Sequence, residues 1–143
     1  MGHKSFNDYK IIDKVHPIQD ILFFISIRNP WDRYISWYMH RTKGRMSFDK
    51  FIFHPKGLCL PSICSFATGM SDDLRLHYIR FENLEGDFDD LCDILNIPRQ
   101  TLPHYHRHKR SHYSSYYNTD TRNFIAQQYE QDIETFKYKF ESK

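Results

Sequence analysis

The feature that most constrains this chain is the stretch Ile21 to Tyr38, ILFFISIRNPWDRYISWY, in which an apolar run stops at an arginine and passes at once into helical periodicity. The run Ile21 to Ile27 suits a strand covered on both faces, as in a parallel α/β sheet. Arg28 then stands at the strand's C-terminal end, where such sheets bind ligands. Asn29 is a good N-cap and Pro30 fits the first helical position, so a helix start is well marked, and its N–H groups favour an anion. A cationic side chain and a helix N-terminus are thereby aimed at one place.

Within that helix, Trp31, Tyr34, Ile35, Tyr38 and Met39 follow the i, i+3, i+4, i+7, i+8 spacing of a core-facing stripe, whereas Asp32, Arg33, Ser36 and His40 fall on the other side. Ser36 comes two turns after Asn29, and its side chain leans back toward the helix start. Arg28 and Ser36 can therefore grip a single phosphate. The competing reading is that Arg28 pairs with a carboxylate and Ser36 is a solvated helix residue. Spacing alone leaves both open.

The string RNPWDRYISWY resembles the 3′-phosphate-binding motif of sulfotransferases, R-[ND]-P-x-[DE]-R-x-x-S-x-Y, with Arg28 and Ser36 at the two phosphate-holding positions. YIRFENLEGDFDDLCDILNIP, LPHYHRHKRSHYSSYY and DIETFKYKF resemble, in family order, later segments of the Golgi-type carbohydrate sulfotransferases and their bacterial relatives. The resemblance implies 3′-phosphoadenosine 5′-phosphosulfate as sulfuryl donor, no metal, and a saccharide hydroxyl as acceptor. It also implies an α/β fold with an incomplete P-loop-type, sulfotransferase-like parallel sheet flanked by helices.

Composition sets limits. A chain of 143 residues, 40% hydrophobic and 17% aromatic, can bury one core, so a single domain over residues 1–143 is expected. A net charge of +2 argues against a dedicated nucleic-acid binder. No run of about eighteen apolar residues is present and the first residues lack a signal-peptide pattern, which predicts no membrane segment and a cytoplasmic chain. Cys59, Cys64 and Cys92 form no CxxC pair and read as small buried hydrophobes.

Residues 5 to 14 read as a short helix or turn ahead of the His16-Pro17 break. Ser47 begins a capped helical turn, SFDKFIF, and His54 to Asp73 reads as irregular with a short helix. Leu76 to Phe81 is the second strand, followed by an amphipathic helix from Leu84 to Leu95 with Phe88, Leu91, Cys92 and Leu95 as its core stripe. Its carboxylates, Glu85, Asp87, Asp89, Asp90 and Asp93, read as a solvated face and not as a calcium loop. The last helix runs from Thr119 to Tyr138, capped by Thr119 or Asn118, with Phe124, Ile125, Tyr129, Ile133 and Phe136 along one side.

The most basic segment is His104 to Tyr113, HYHRHKRSHY. Three readings compete: a metal site on His104, His106 and His108, a stacking surface for single-stranded nucleic acid, and a loop closing over the nucleotide's 3′-phosphate. The third follows from the resemblance and is preferred, with Arg107 and Lys109 ahead of Arg110.

The family opens with a strand and a phosphate-cradling loop that hold the 5′-phosphosulfate. No such Gly-Ser/Thr loop precedes Ile21, so the chain reads as N-terminally truncated relative to the family. Its opening MGHKS resembles instead the GH-x-S segment of uronyl 2-O-sulfotransferases, which would make His3 the general base, a role suited to imidazole near neutral pH. The activity of this chain alone is left open, as is a homodimer that covers an open sheet edge. The alternative function is a non-catalytic nucleotide- or RNA-binding module.

Overall fold

The computed structural model describes residues 21–55, 60–67, 75–103 and 110–143. Along these residues run β1 (Leu22–Ile27), α1 (Pro30–Thr42), α2 (Phe48–Ile52), α3 (Cys64–Ala67), β2 (Arg75–Arg80), α4 (Leu84–Ile94), α5 (Thr119–Gln128) and α6 (Glu130–Phe136), with 3-10 turns at Phe81–Asn83 and Tyr113–Tyr116. β1 and β2 pair in parallel, with Leu22 opposite Arg75 and Ile27 opposite Arg80, so the fold is α/β. The chain divides into two compact units, one holding β1, β2 and α4, the other α1, α2, α5 and α6.

In the strand unit, β2 begins at Arg75 and passes its last expected residue, Phe81, into the 3-10 turn. Asp87 fastens the strand end to the first turn of α4: its carboxylate accepts the Arg80 N–H at 2.6 Å and the Asn83 Nδ2 at 2.7 Å. An acidic side chain there also complements the helix dipole. Ile27, Ile79, Leu91 and Cys92 are buried. The expectation of a first strand covered on both faces fails, because Phe24 is 60% exposed and Ser26 is exposed as well. Among the described residues a single helix, α4, packs closely on the strand pair, and one helix covers one face of a sheet. Leu95 also leaves the expected core stripe: it is the C-cap of α4, past the last full turn, and lies exposed beside Ile94 and Ile97.

In the helical unit the stripe of α1 is buried as its spacing demands, with Trp31, Tyr34, Ile35 and Tyr38 facing Phe48, Phe51 and Ile52 of α2, together with Tyr113, Ile125 and Tyr129. The tyrosines bury their rings and direct their hydroxyls to carbonyls, Tyr38 to Met46 at 2.7 Å and Tyr34 to Ile52 at 3.4 Å. Tyr34 meets Phe48, Phe51 and Tyr129 edge to face, at centroid distances of 6.1, 5.9 and 6.4 Å. α1 stops at Lys43 and Gly44, both left-handed (φ 50° and 76°), where a glycine is the natural residue to turn the chain. Ser47 occupies the N-cap position of α2, but its side chain makes no capping hydrogen bond.

The single helix expected from Thr119 to Tyr138 is two helices. Asn118 caps α5 through a reciprocal pair with Thr121, and the helix ends at Tyr129 (φ −122°, ψ 27°). Two tertiary contacts account for the break: the Tyr129 hydroxyl donates to the Leu60 carbonyl at 2.7 Å, and Asp132 turns into the 62–64 segment.

Candidate functional site

The start of α1 is held from three directions. Asn29, buried, accepts the Trp31 N–H on its side-chain oxygen at 3.1 Å, as an N-cap should, and donates through Nδ2 to the Lys139 carbonyl at 3.0 Å. The Trp31 indole donates to the Arg122 carbonyl at 3.1 Å, and the Trp31 carbonyl accepts the Tyr117 hydroxyl at 2.9 Å. Residues 138–143 run past this point as a strap. Phe140 presents edge-to-face contacts to Trp31, Tyr113 and Tyr117, with the Arg122 guanidinium 4.6 Å from its ring centre. The Glu141 N–H donates to the Tyr113 hydroxyl at 2.7 Å.

On this fixed helix start sits a cluster of three charges. Arg28, just before α1, donates from Nε to Asp32 Oδ2 at 2.7 Å, and its Nη2 lies 2.6 Å from the same oxygen. The other carboxylate oxygen, Oδ1, takes Nη2 of Arg110. Side-chain exposures of 17%, 17% and 20% for Arg28, Asp32 and Arg110 place the cluster well below full hydration, where charge interactions are stronger than at an open surface. Among the described residues two guanidiniums converge on one carboxylate beside a helix N-terminus, an arrangement whose donors suit an anion.

The five residues expected at the site meet different fates. Arg28 is at the helix start, and of its two readings the carboxylate pair is formed. Ser36 is half-buried on α1, one turn beyond Asp32 on the same i, i+4 face. His3, Arg107 and Lys109 lie outside the described residues, as do His104, His106, His108 and Cys59. Among the described residues of the basic segment, Arg110 joins Arg28 on Asp32; it was placed behind the other two in the sequence, and nothing local marks it, because Asp32 is 78 positions away.

A second charged cluster is structural. Asp132, with no exposed surface, accepts the Ser62 hydroxyl at 2.6 Å and the Ile63 and Cys64 N–H groups at 2.8 Å, and lies 3.6 Å from Arg33. Burial alone would raise its carboxyl, but the donors from Ser62, Cys64 and Ile63 together hold it below the ordinary aspartate value. Arg33 also donates to the Pro61 carbonyl at 2.9 Å and stands 5.1 Å from the Tyr129 ring centre. Its value is lowered by burial, with Tyr129 and Asp132 opposing, and it remains a cation.

Among the described residues no group of three His, Cys, Asp or Glu side chains gathers as a metal would require, and no helix is long and apolar enough to cross a membrane. Cys64 and Cys92 are buried thiols. In comparison with known proteins the chain matches no family model, no curated protein and no solved structure, so what it does has to be argued from the arginine cluster and the motif around it.

Proposed function

We propose that the chain is a sulfotransferase-family protein that binds 3′-phosphoadenosine 5′-phosphosulfate and serves sulfuryl transfer to a saccharide hydroxyl. The observation that carries this reading is the convergence of Arg28 and Arg110 on Asp32 at the N-terminus of α1, inside the segment that resembles the family's 3′-phosphate motif. The donor nucleotide supplies an activated sulfuryl group. The chain's own residues bind and orient it. Arg28 and Arg110 neutralise the 3′-phosphate, Ser36 adds a hydroxyl donor from the same helix face, and by the resemblance Arg107 and Lys109 add cations for the same phosphate. By the resemblance, His3 takes the acceptor proton. The parallel pairing of β1 with β2 supports this reading, since a P-loop-type sheet is built of parallel strands.

The test is calorimetric titration of the chain with adenosine 3′,5′-bisphosphate, beside adenosine 5′-monophosphate, which lacks the 3′-phosphate. Micromolar binding of the bisphosphate, with the monophosphate and the Arg28→Ala and Arg110→Ala variants each weaker by about tenfold or more, supports the nucleotide site. Equal binding of both nucleotides, or none, overturns it. Binding without sulfuryl transfer to any saccharide would favour a nucleotide-binding module that does no chemistry.

A further inference from the structure

A phosphate site has no evident need of a carboxylate at its centre, yet Asp32 occupies that place. Resting on the nucleotide site proposed above, we propose that Asp32 is a positioning residue that preorganises the two arginines for an incoming phosphate, although its own charge opposes that phosphate. Each of its oxygens serves a different arginine, Oδ2 taking Arg28 and Oδ1 taking Arg110, so one carboxylate joins the start of α1 to a residue 78 positions along the chain. The Arg28 guanidinium is gripped through both Nε and Nη2, which fixes the plane of its fork. Two guanidiniums this little exposed that lost the carboxylate they share would repel each other and separate. A phosphate would then have to gather them on arrival, and that ordering is lost from the affinity. With Asp32 in place the arginines already converge.

The competing role is that Asp32 merely balances charge and complements the helix dipole from the first turn of α1. The two roles predict opposite signs. A counter-ion competes with phosphate, so neutralising it strengthens binding; a positioning residue, once neutralised, weakens binding although the site gains positive charge. Asparagine cannot substitute, because its amide offers one accepting oxygen and turns an NH2 donor toward the other arginine.

The experiment is titration of the full chain with adenosine 3′,5′-bisphosphate over a range of salt concentrations, on the wild type, Asp32→Asn and Asp32→Glu, with a thermal melt of each. The expected result is about tenfold weaker binding by Asp32→Asn, with a steeper salt dependence that reports the added positive charge, and partial recovery in Asp32→Glu. Binding by Asp32→Asn equal to or tighter than wild type overturns the inference and leaves the nucleotide site standing. A wild-type chain that binds no bisphosphate overturns the nucleotide site and the inference with it. If Asp32→Asn does not fold, Asp32→Glu decides: weaker binding with an unchanged salt slope is expected, and binding unchanged in strength overturns the inference.

Discussion

Asp132 accepts the Ser62 hydroxyl at 2.6 Å across 70 positions of sequence, and this bond, with the Ile63 and Cys64 amides beside it, fastens α6 to the start of α3. The carboxylate has no exposed surface, so its partners have no water to replace it. Asp132→Ala should therefore cost about 3 kcal/mol of stability, the order found when one partner of a buried charged pair is removed. Urea unfolding curves of wild type and variant measure this directly. A difference under about 1 kcal/mol would mean that the cluster relaxes to a solvated arrangement.

The same carboxylate predicts an acid limit. Its folded value lies below that of the unfolded chain, because the donated hydrogen bonds outweigh burial. The stability it contributes is complete above the unfolded value, about pH 4, and is lost as pH falls through the lower folded value. Stability measured from pH 6 down to pH 2 should fall more steeply in wild type than in Asp132→Asn, whose amide does not titrate. Parallel curves would assign the acid limb to other carboxylates.

At the alkaline end the tyrosines of the helical unit act together. Burial raises the phenols of Tyr113, Tyr117 and Tyr129, only partly opposed at Tyr129 by Arg33. A raised folded value means stability that is complete below the unfolded value, about pH 10, and lost as pH climbs toward the folded one. Phenolate absorbance followed against pH should show exposed tyrosines titrating first and the buried set appearing only with loss of helical circular dichroism. Smooth titration of all ten tyrosines before unfolding would contradict the burial.

Phe140 is the fastening of the strap. Phe140→Ala removes its contacts with Trp31, Tyr113 and Tyr117 and the stacked Arg122, and should cost about 2 kcal/mol, since the ring is half-buried and not fully so. Hydrogen exchange should then lose protection at the Glu141 amide, which now donates to Tyr113. Protection unchanged at Glu141 would show that the strap is held by its backbone bonds alone.

How much of this was legible in the sequence depends on the range of each interaction. The junction from Ile27 through Arg28, Asn29 and Pro30 reads correctly because strand, cap and helix signals are all local. The carboxylate partner of Arg28 was legible too, as an i, i+4 pair. The place of Arg110 beside Asp32 was not legible, because it is set by packing 78 positions along the chain. Tyr129 misled for a similar reason: helical periodicity continues through it, and only its bond to Leu60 and the turn of Asp132 explain why the helix does not. Phe24 was assigned to the core from an apolar run and Leu95 from helical spacing, but burial depends on what lies opposite, which no single segment encodes.

The bond from Asn29 to the Lys139 carbonyl spans 110 residues, and that separation is also an interval of time. At the roughly 5–20 residues per second of protein synthesis, the start of α1 waits on the order of 5–20 s after Asn29 is made before its partner exists. Early in that wait the first turn has its own cap and the Arg28–Asp32 pair, and the contacts of Trp31 with Tyr117 and Arg122 follow before the strap. The start of α1 is thus fastened last, when the strap arrives, and a nascent chain holds Arg28 and Asp32 long before it holds everything that fixes them.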